Sequence, residues 1–167
     1  VEEIGEAAFY NVNIDLELPD SVRIIGEMAF TSDVGMADNS KKLKLPKELE
    51  IIEENAFANC NITEITWNDK ELSVGKRAFS ENMLEEVVIP ENVRLGDGVF
   101  ASNELLRSIK FEDGTKTISS SILSGCRSLT DVYIPEGVTR IEYNAFFNCN
   151  SLGNIKLPES LETIERN

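Results

Sequence analysis

Histidine is absent from the 167 residues. That removes the commonest general base and the commonest metal ligand, and with them every Ser-His and Cys-His nucleophile pair. Proline is scarce at five, tryptophan occurs once, and cysteine three times. No apolar run approaches the roughly 18 residues that a bilayer-spanning helix needs, and no charged start followed by an apolar stretch marks a signal peptide. Cations are also few. Sixteen lysines and arginines against 30 acids leave a net charge of −14, which repels a phosphate backbone and excludes nucleic-acid binding as the main activity.

What is present is a repeat. In residues 127–149, Leu129, Val132 and Ile134 follow the spacing of a short strand with alternate side chains turned inward. Pro135, Glu136 and Gly137 then break the strand, because proline fixes its backbone angle and glycine tolerates turn geometry. Val138 and Ile141 resume the inward rhythm. Residues 142–149 read as a tight helical turn that directs Ala145, Phe146 and Cys149 to the same interior. Such a unit cannot bury its own apolar face, so it must stack on copies of itself.

The copies run through the whole chain. Their anchors are Phe9, Phe30, Phe57, Phe79, Phe100, Leu123 and Phe146, spaced by 21 to 27 residues. The widest interval holds an insertion of about six residues within 31–42, and insertions in a solenoid map to loops. Four positions depart from the pattern. Asn68 and Glu112 stand where proline usually marks the corner, Ser119 replaces the usual glycine or glutamate, and Leu123 replaces the aromatic anchor. The chain reads as one domain, residues 1–167, that begins and ends in mid-repeat, and it is expected to be a fragment of a longer protein.

The pattern Leu-x-x-Val-x-Ile-Pro-x-x-Val-x-x-Ile-x-x-x-Ala-Phe-x-x-Cys resembles the BspA-like, or Treponema pallidum type, leucine-rich repeat. The resemblance implies a mostly β leucine-rich repeat solenoid of about seven turns of roughly 23 residues. It implies a right-handed coil with a parallel sheet on the concave face, and short secondary strands and helical turns elsewhere. Proteins of this family are commonly exported or attached to bacterial surfaces, occur in some protozoan parasites, and are associated with adhesion to host proteins. A bacterial extracellular or cell-surface location is therefore what the resemblance implies.

The outward rows of the expected sheet define the candidate site. The middle row is Glu17, Lys44, Thr66, Val88, Lys110, Tyr133 and Lys156, and the row before it is Asp15, Lys42, Glu64, Glu86, Ser108, Asp131 and Asn154. Together they carry four positive and five negative charges, so this face is nearly balanced. The acidic excess falls on corners and on the other side, where it keeps the chain soluble. Lys110, Tyr133 and Lys156 lie on consecutive turns, and an aromatic between two cations suits a peptide, an acidic protein surface or a glycan. The partner-binding candidates are Lys44, Thr66, Val88, Lys110, Tyr133 and Lys156. The same lysines also serve to discourage self-association, with the tyrosine filling a cross-strand gap.

Other residues invite narrower readings. Trp67 occupies an inward position, so it is expected in the core with its indole donor finding a partner near an open corner. The inserted loop contains Asp33, Asp38 and Asn39, but without the alternating oxygens and glycine of a calcium loop. It reads as a partner-contacting loop or as plain length variation. Cys60, Cys126 and Cys149 each lie three residues after an anchor, and buried reduced thiols are the expected state. Of these, Cys126 and Cys149 sit on adjacent turns within reach of a disulfide, while Cys60 is three turns from Cys126.

Two functional classes remain. One is a non-enzymatic module that binds a protein or glycan, host extracellular proteins included, through the sheet and its edge loops. The other is a structural spacer. No catalytic, cofactor-binding or metal residue is expected, because the acids are dispersed over separate turns without a distinctive pair.

Overall fold

The computed structural model describes residues 1–15, 17–33 and 40–166. Leu16 of the first unit, and Asp38 and Asn39 of the inserted loop, lie outside the described residues. The described chain is a β-solenoid of about seven turns, and no helix is found among these residues. Its strands, numbered in chain order, form two series. The first comprises β3 (Lys41–Lys44), β5 (Ile62–Thr66), β7 (Glu86–Ile89), β9 (Ser108–Phe111) and β11 (Asp131–Tyr133). The second comprises β1 (Glu3–Ile4), β2 (Ile24–Ile25), β4 (Ile51–Ile52), β6 (Leu72–Val74), β8 (Val93–Leu95), β10 (Thr117–Ile118), β12 (Arg140–Ile141) and β13 (Thr163–Ile164). Every pairing is parallel and joins one turn to the next.

Alternation sets which side chains enter the core. In the first series Leu43, Val87 and Ile109 are buried, while Lys44, Val88 and Lys110 between or beside them face out. The last turn forms no such strand. Gly153 and Asn154 occupy its start, and both residue types weaken strands. Phe9, Phe30, Phe57, Phe79 and Phe100 stack ring over ring, with centroids 5.1 to 6.1 Å apart and interplanar angles of at most 10°. Each interior phenylalanine contributes on the order of 2 kcal/mol by burial, and about 1 kcal/mol more per ring contact. Leu123 ends the stack, at one of the departures in the repeat.

The segments expected as helical turns have a different construction. Most of them carry positive φ at two positions four apart, such as Asn55 and Asn59, Arg77 and Glu81, or Asn144 and Asn148, with negative φ between. This pattern turns the amides out of the local chain. Arg77 N donates to Asp97 O, Phe79 N to Val99 O and Glu81 N to Ala101 O, at 2.9 to 3.0 Å. The same three bonds recur at Asn55, Phe57 and Asn59 and at Gly98, Phe100 and Ser102. A helix would have used those donors on its own carbonyls. Here they form a third ladder that runs along the solenoid.

A row of side chains, all buried but the half-buried Cys149, lines the interior side of this ladder. Asn82 Nδ2 donates to Phe57 O, and Asn103 Nδ2 donates to Phe79 O. The thiols of Cys60, Cys126 and Cys149 donate to Phe30 O, Phe100 O and Leu123 O respectively. Cysteine and asparagine are thus interchangeable donors to the anchor carbonyl of the preceding turn. All three cysteines are free, with burial as the main cause of thiol pKa values of about 12 for Cys60 and Cys126 and about 11 for Cys149.

Each series contains one break. Between β8 and β10 the second series divides into two sheets. At the adjoining rung, where Gly96 N reaches Val74 O and Glu142 N reaches Ile118 O, Ser119 Oγ donates to Leu95 O at 3.1 Å. A cavity of about 380 Å³ opens there over Ile89, Phe111 and Ile122. The first series divides between β5 and β7. Its register shifts between Lys41 and Lys42, which pair with Ile62 and Glu64, so Thr63 is an extra residue on β5. A bulge of this kind increases local twist and turns a strand away from its neighbour.

Two outcomes test this construction. Phe79→Ala removes the centre of the ring stack and should cost about 3 to 5 kcal/mol in urea unfolding. Because Trp67 packs edge-on against Phe79 at 5.9 Å, the same change should shift the emission of the only tryptophan. Asn82→Ala leaves the Cys60 and Ile62 amides without the Oδ1 acceptor they share and should cost at least about 2 kcal/mol, detected as earlier alkylation of the three thiols by iodoacetamide. The raised thiol pKa values add stability that is complete below the unfolded value near 9. That contribution should be lost as pH rises from there through about 11 to 12.

Candidate interaction face

The first-series strands place five of the six candidate residues on one exposed row. Lys44 pairs directly with Thr66, and Val88 pairs with Lys110, which pairs with Tyr133. Val88 is 51% exposed and Tyr133 52% exposed, so two apolar surfaces stand on a sheet whose opposite row packs against the core. Lys156 follows on the last turn, outside any ladder, and lines a small recess of about 110 Å³ together with Tyr133. The row is therefore in two parts. Lys44 and Thr66 lie on one side of the β5–β7 break, and Val88, Lys110, Tyr133 and Lys156 lie on the other.

Lys110 is already engaged. Its Nζ lies 2.8 Å from Glu112 Oε1 and 5.6 Å from the centre of the Tyr133 ring. The Glu112 hydrogen bond is the main reason its pKa is raised, so it stays cationic at neutral pH. Glu112 is the residue that stands in place of the corner proline, and its side chain could not be placed from the repeat pattern alone. Lys42 is paired in the same way with Glu64 at 2.7 Å across the β3–β5 ladder, and that contact raises the lysine pKa. Among the described residues Lys44 and Lys156 make no ion pair.

Trp67 is half-buried and packs against the core, as its inward position predicts. The buried residues at the matching position of other turns are Leu45, Ile89, Phe111 and Ile134. An indole is larger than any of these, and its outer part reaches the β5–β7 break. Among the described residues its N–H has no hydrogen-bond partner. Asn68, at the altered corner, is buried and donates through Nδ2 to Pro46 O and Leu49 O, which ties two turns where proline would have ended one. The Asp33 carboxylate at the start of the inserted loop accepts a hydrogen bond from the Tyr10 hydroxyl. Lys41 at its end is buried, with Nζ donating to Ile14 O at 2.6 Å.

The sequence pattern of a BspA type leucine rich repeat region matches the chain in six copies, over residues 2–123 and 74–167. Among solved structures, a T. pallidum leucine rich repeat protein is 30% identical with a TM-score of 0.81, over 92% of this chain and 72% of that one. A leucine rich cell surface protein from Faecalibacterium prausnitzii is 26% identical with a TM-score of 0.58, over 86% of this chain and 47% of that one. A leucine-rich repeat protein from Bacteroides ovatus shares the fold at 24% identity and a TM-score of 0.72, over 98% of this chain and 50% of that one. The chain thus spans about half the length of the last two proteins. No curated protein matches it.

Proposed function

The chain belongs to the BspA-type leucine-rich repeat family, and from that premise we propose that it is a non-enzymatic binding module of an exported or cell-surface protein. It recognises a protein or a glycan, host extracellular proteins included, through the face of β3, β5, β7, β9 and β11 and the adjoining loops. One observation carries this reading. The outward row is exposed throughout, and on one side of the β5–β7 break it presents Val88 and Tyr133 beside Lys110 and Lys156, with Lys44 on the other side. Exposed aromatic and apolar side chains are the composition of contact patches, and the lysines around them supply charge that steers an acidic partner. The cell-surface description of the F. prausnitzii relative is consistent with export.

A spacer role has its own support in the engagement of Lys110 by Glu112 and Tyr133, since a cation already paired has less to offer a partner. One experiment separates the two. The chain and its Lys110→Ala, Tyr133→Ala, Lys156→Ala triple variant are applied to a panel of purified extracellular matrix proteins and an array of glycans. The binding reading expects at least one saturable interaction that the triple variant weakens by about tenfold or more. Its melting temperature should change little, because all three side chains are exposed. No saturable interaction with any member, or one that the triple variant leaves untouched, would overturn the assignment of this face.

A further inference from the structure

The break between β5 and β7 opens a groove of about 540 Å³ in the same face. Its floor is apolar. Ile65 is only half-buried there, whereas Leu43 and Val87 at the matching positions of the neighbouring strands are buried, so the groove reaches the edge of the core. Trp67 and Val88 form opposite walls, and Trp67 is held in place by its edge-on contact with Phe79. The rim is acidic, with Glu64, Glu85 and Glu86 along it, and no lysine or arginine lines the groove. Glu64 is paired with Lys42. Among the described residues the carboxylates of Glu85 and Glu86 have no partner.

These features define an occupant by its chemistry. A side chain that enters must present apolar stem to Ile65 and Val88, a cation to Glu85 and Glu86, and a flat charged surface to the indole. Arginine meets all three conditions, because its methylene stem packs on apolar surface and its guanidinium stacks on aromatic faces. We infer that the β5–β7 groove is the anchor subsite of this face and takes an arginine side chain, flanked by apolar residues, from a protein partner. The charge relation also acts at longer range, since a chain of net charge −14 attracts basic segments from solution. The inference rests on the reading of this face as a binding surface, and it favours a protein over a glycan as the partner.

The only tryptophan of the chain lies in the groove, so its emission reports occupancy directly. The probe is the acetylated, amidated tripeptide Leu-Arg-Leu, compared with the same peptide carrying citrulline, the neutral isostere of arginine. The arginine peptide should give a saturable change in Trp67 emission that weakens as salt is raised. The citrulline peptide, and the Glu85→Gln, Glu86→Gln double variant, should each bind at least about tenfold more weakly. A Glu159→Gln, Glu162→Gln variant alters net charge equally at the last corner and should leave affinity unchanged. No saturable response up to about 10 mM, equal binding of the citrulline peptide, or an equal loss in the distant variant would overturn the inference. The peptide experiment does not involve Lys110, Tyr133 or Lys156. If the peptide fails while a panel protein still binds in a manner sensitive to those three residues, the subsite falls and the face stands. If both fail, both readings fall.

Discussion

Each turn of this solenoid leaves backbone donors pointing along the axis, and only the next turn can accept them. Among the described residues twelve other than glycine hold positive φ to achieve this, including Met28, Arg77 and Glu81, which have no local preference for it. Each such residue costs about 1 kcal/mol or more in isolation. The cost is tolerated because nearly every one of these amides is hydrogen-bonded to the following turn, and the alternative is a buried unpaired donor. The conformation of a turn is therefore imposed by its neighbour. Stability in such a molecule is a property of interfaces between turns more than of any turn by itself.

That constraint explains why the two breaks are localised. Around β8 and β10 the strand rungs are lost, yet a few residues later Gly98 N, Phe100 N and Ser102 N reach Ser120 O, Ile122 O and Ser124 O. The third ladder and the core row of Asn103 and Cys126 run through without interruption. A strand can therefore detach from its neighbour without dividing the solenoid. The face of β5 and β7 gains a groove in the same way, while Phe57 and Phe79 remain stacked beneath it at 5.5 Å.

Much of this was legible in the sequence because the periodic signal and the core signal coincide. The anchors from Phe30 to Phe100 are buried and stacked, and Lys44, Thr66, Val88, Lys110 and Tyr133 emerge on one row, since a period of two fixes both. Other features required contacts between turns. Asn82 and Asn103 stand three residues after an anchor, as the cysteines do, so their shared role was signalled by position, but their chemical difference hid it. The left-handed residues were only partly announced, because asparagine holds some of these sites, such as Asn55, Asn59, Asn144 and Asn148, while alanine, methionine, arginine, glutamate and serine hold others. The break beside β5 accompanies the extra residue Thr63, and a one-residue change of register is invisible in a pattern that already varies from 21 to 27 residues.

The distribution of ion pairs bears on what the surface is able to bind. Arg23 pairs with Glu50, Lys70 with Glu48, Lys76 with Glu54, Arg94 with Glu71, and Arg127 with Glu104, each from one turn to an adjacent one. Exposed pairs of this kind add little to stability. They nonetheless occupy the cations, and with 16 cations against 30 acids the surplus carboxylates must stand alone somewhere. A lone carboxylate on a convex corner is bathed in water and counter-ions. At Glu85 and Glu86 the same charge borders a recess lined by the indole of Trp67 and by Val88, so that an entering cation meets apolar surface as well as charge. The acidic excess that reads as a solubility device over most of the chain acquires selectivity only where the sheet opens.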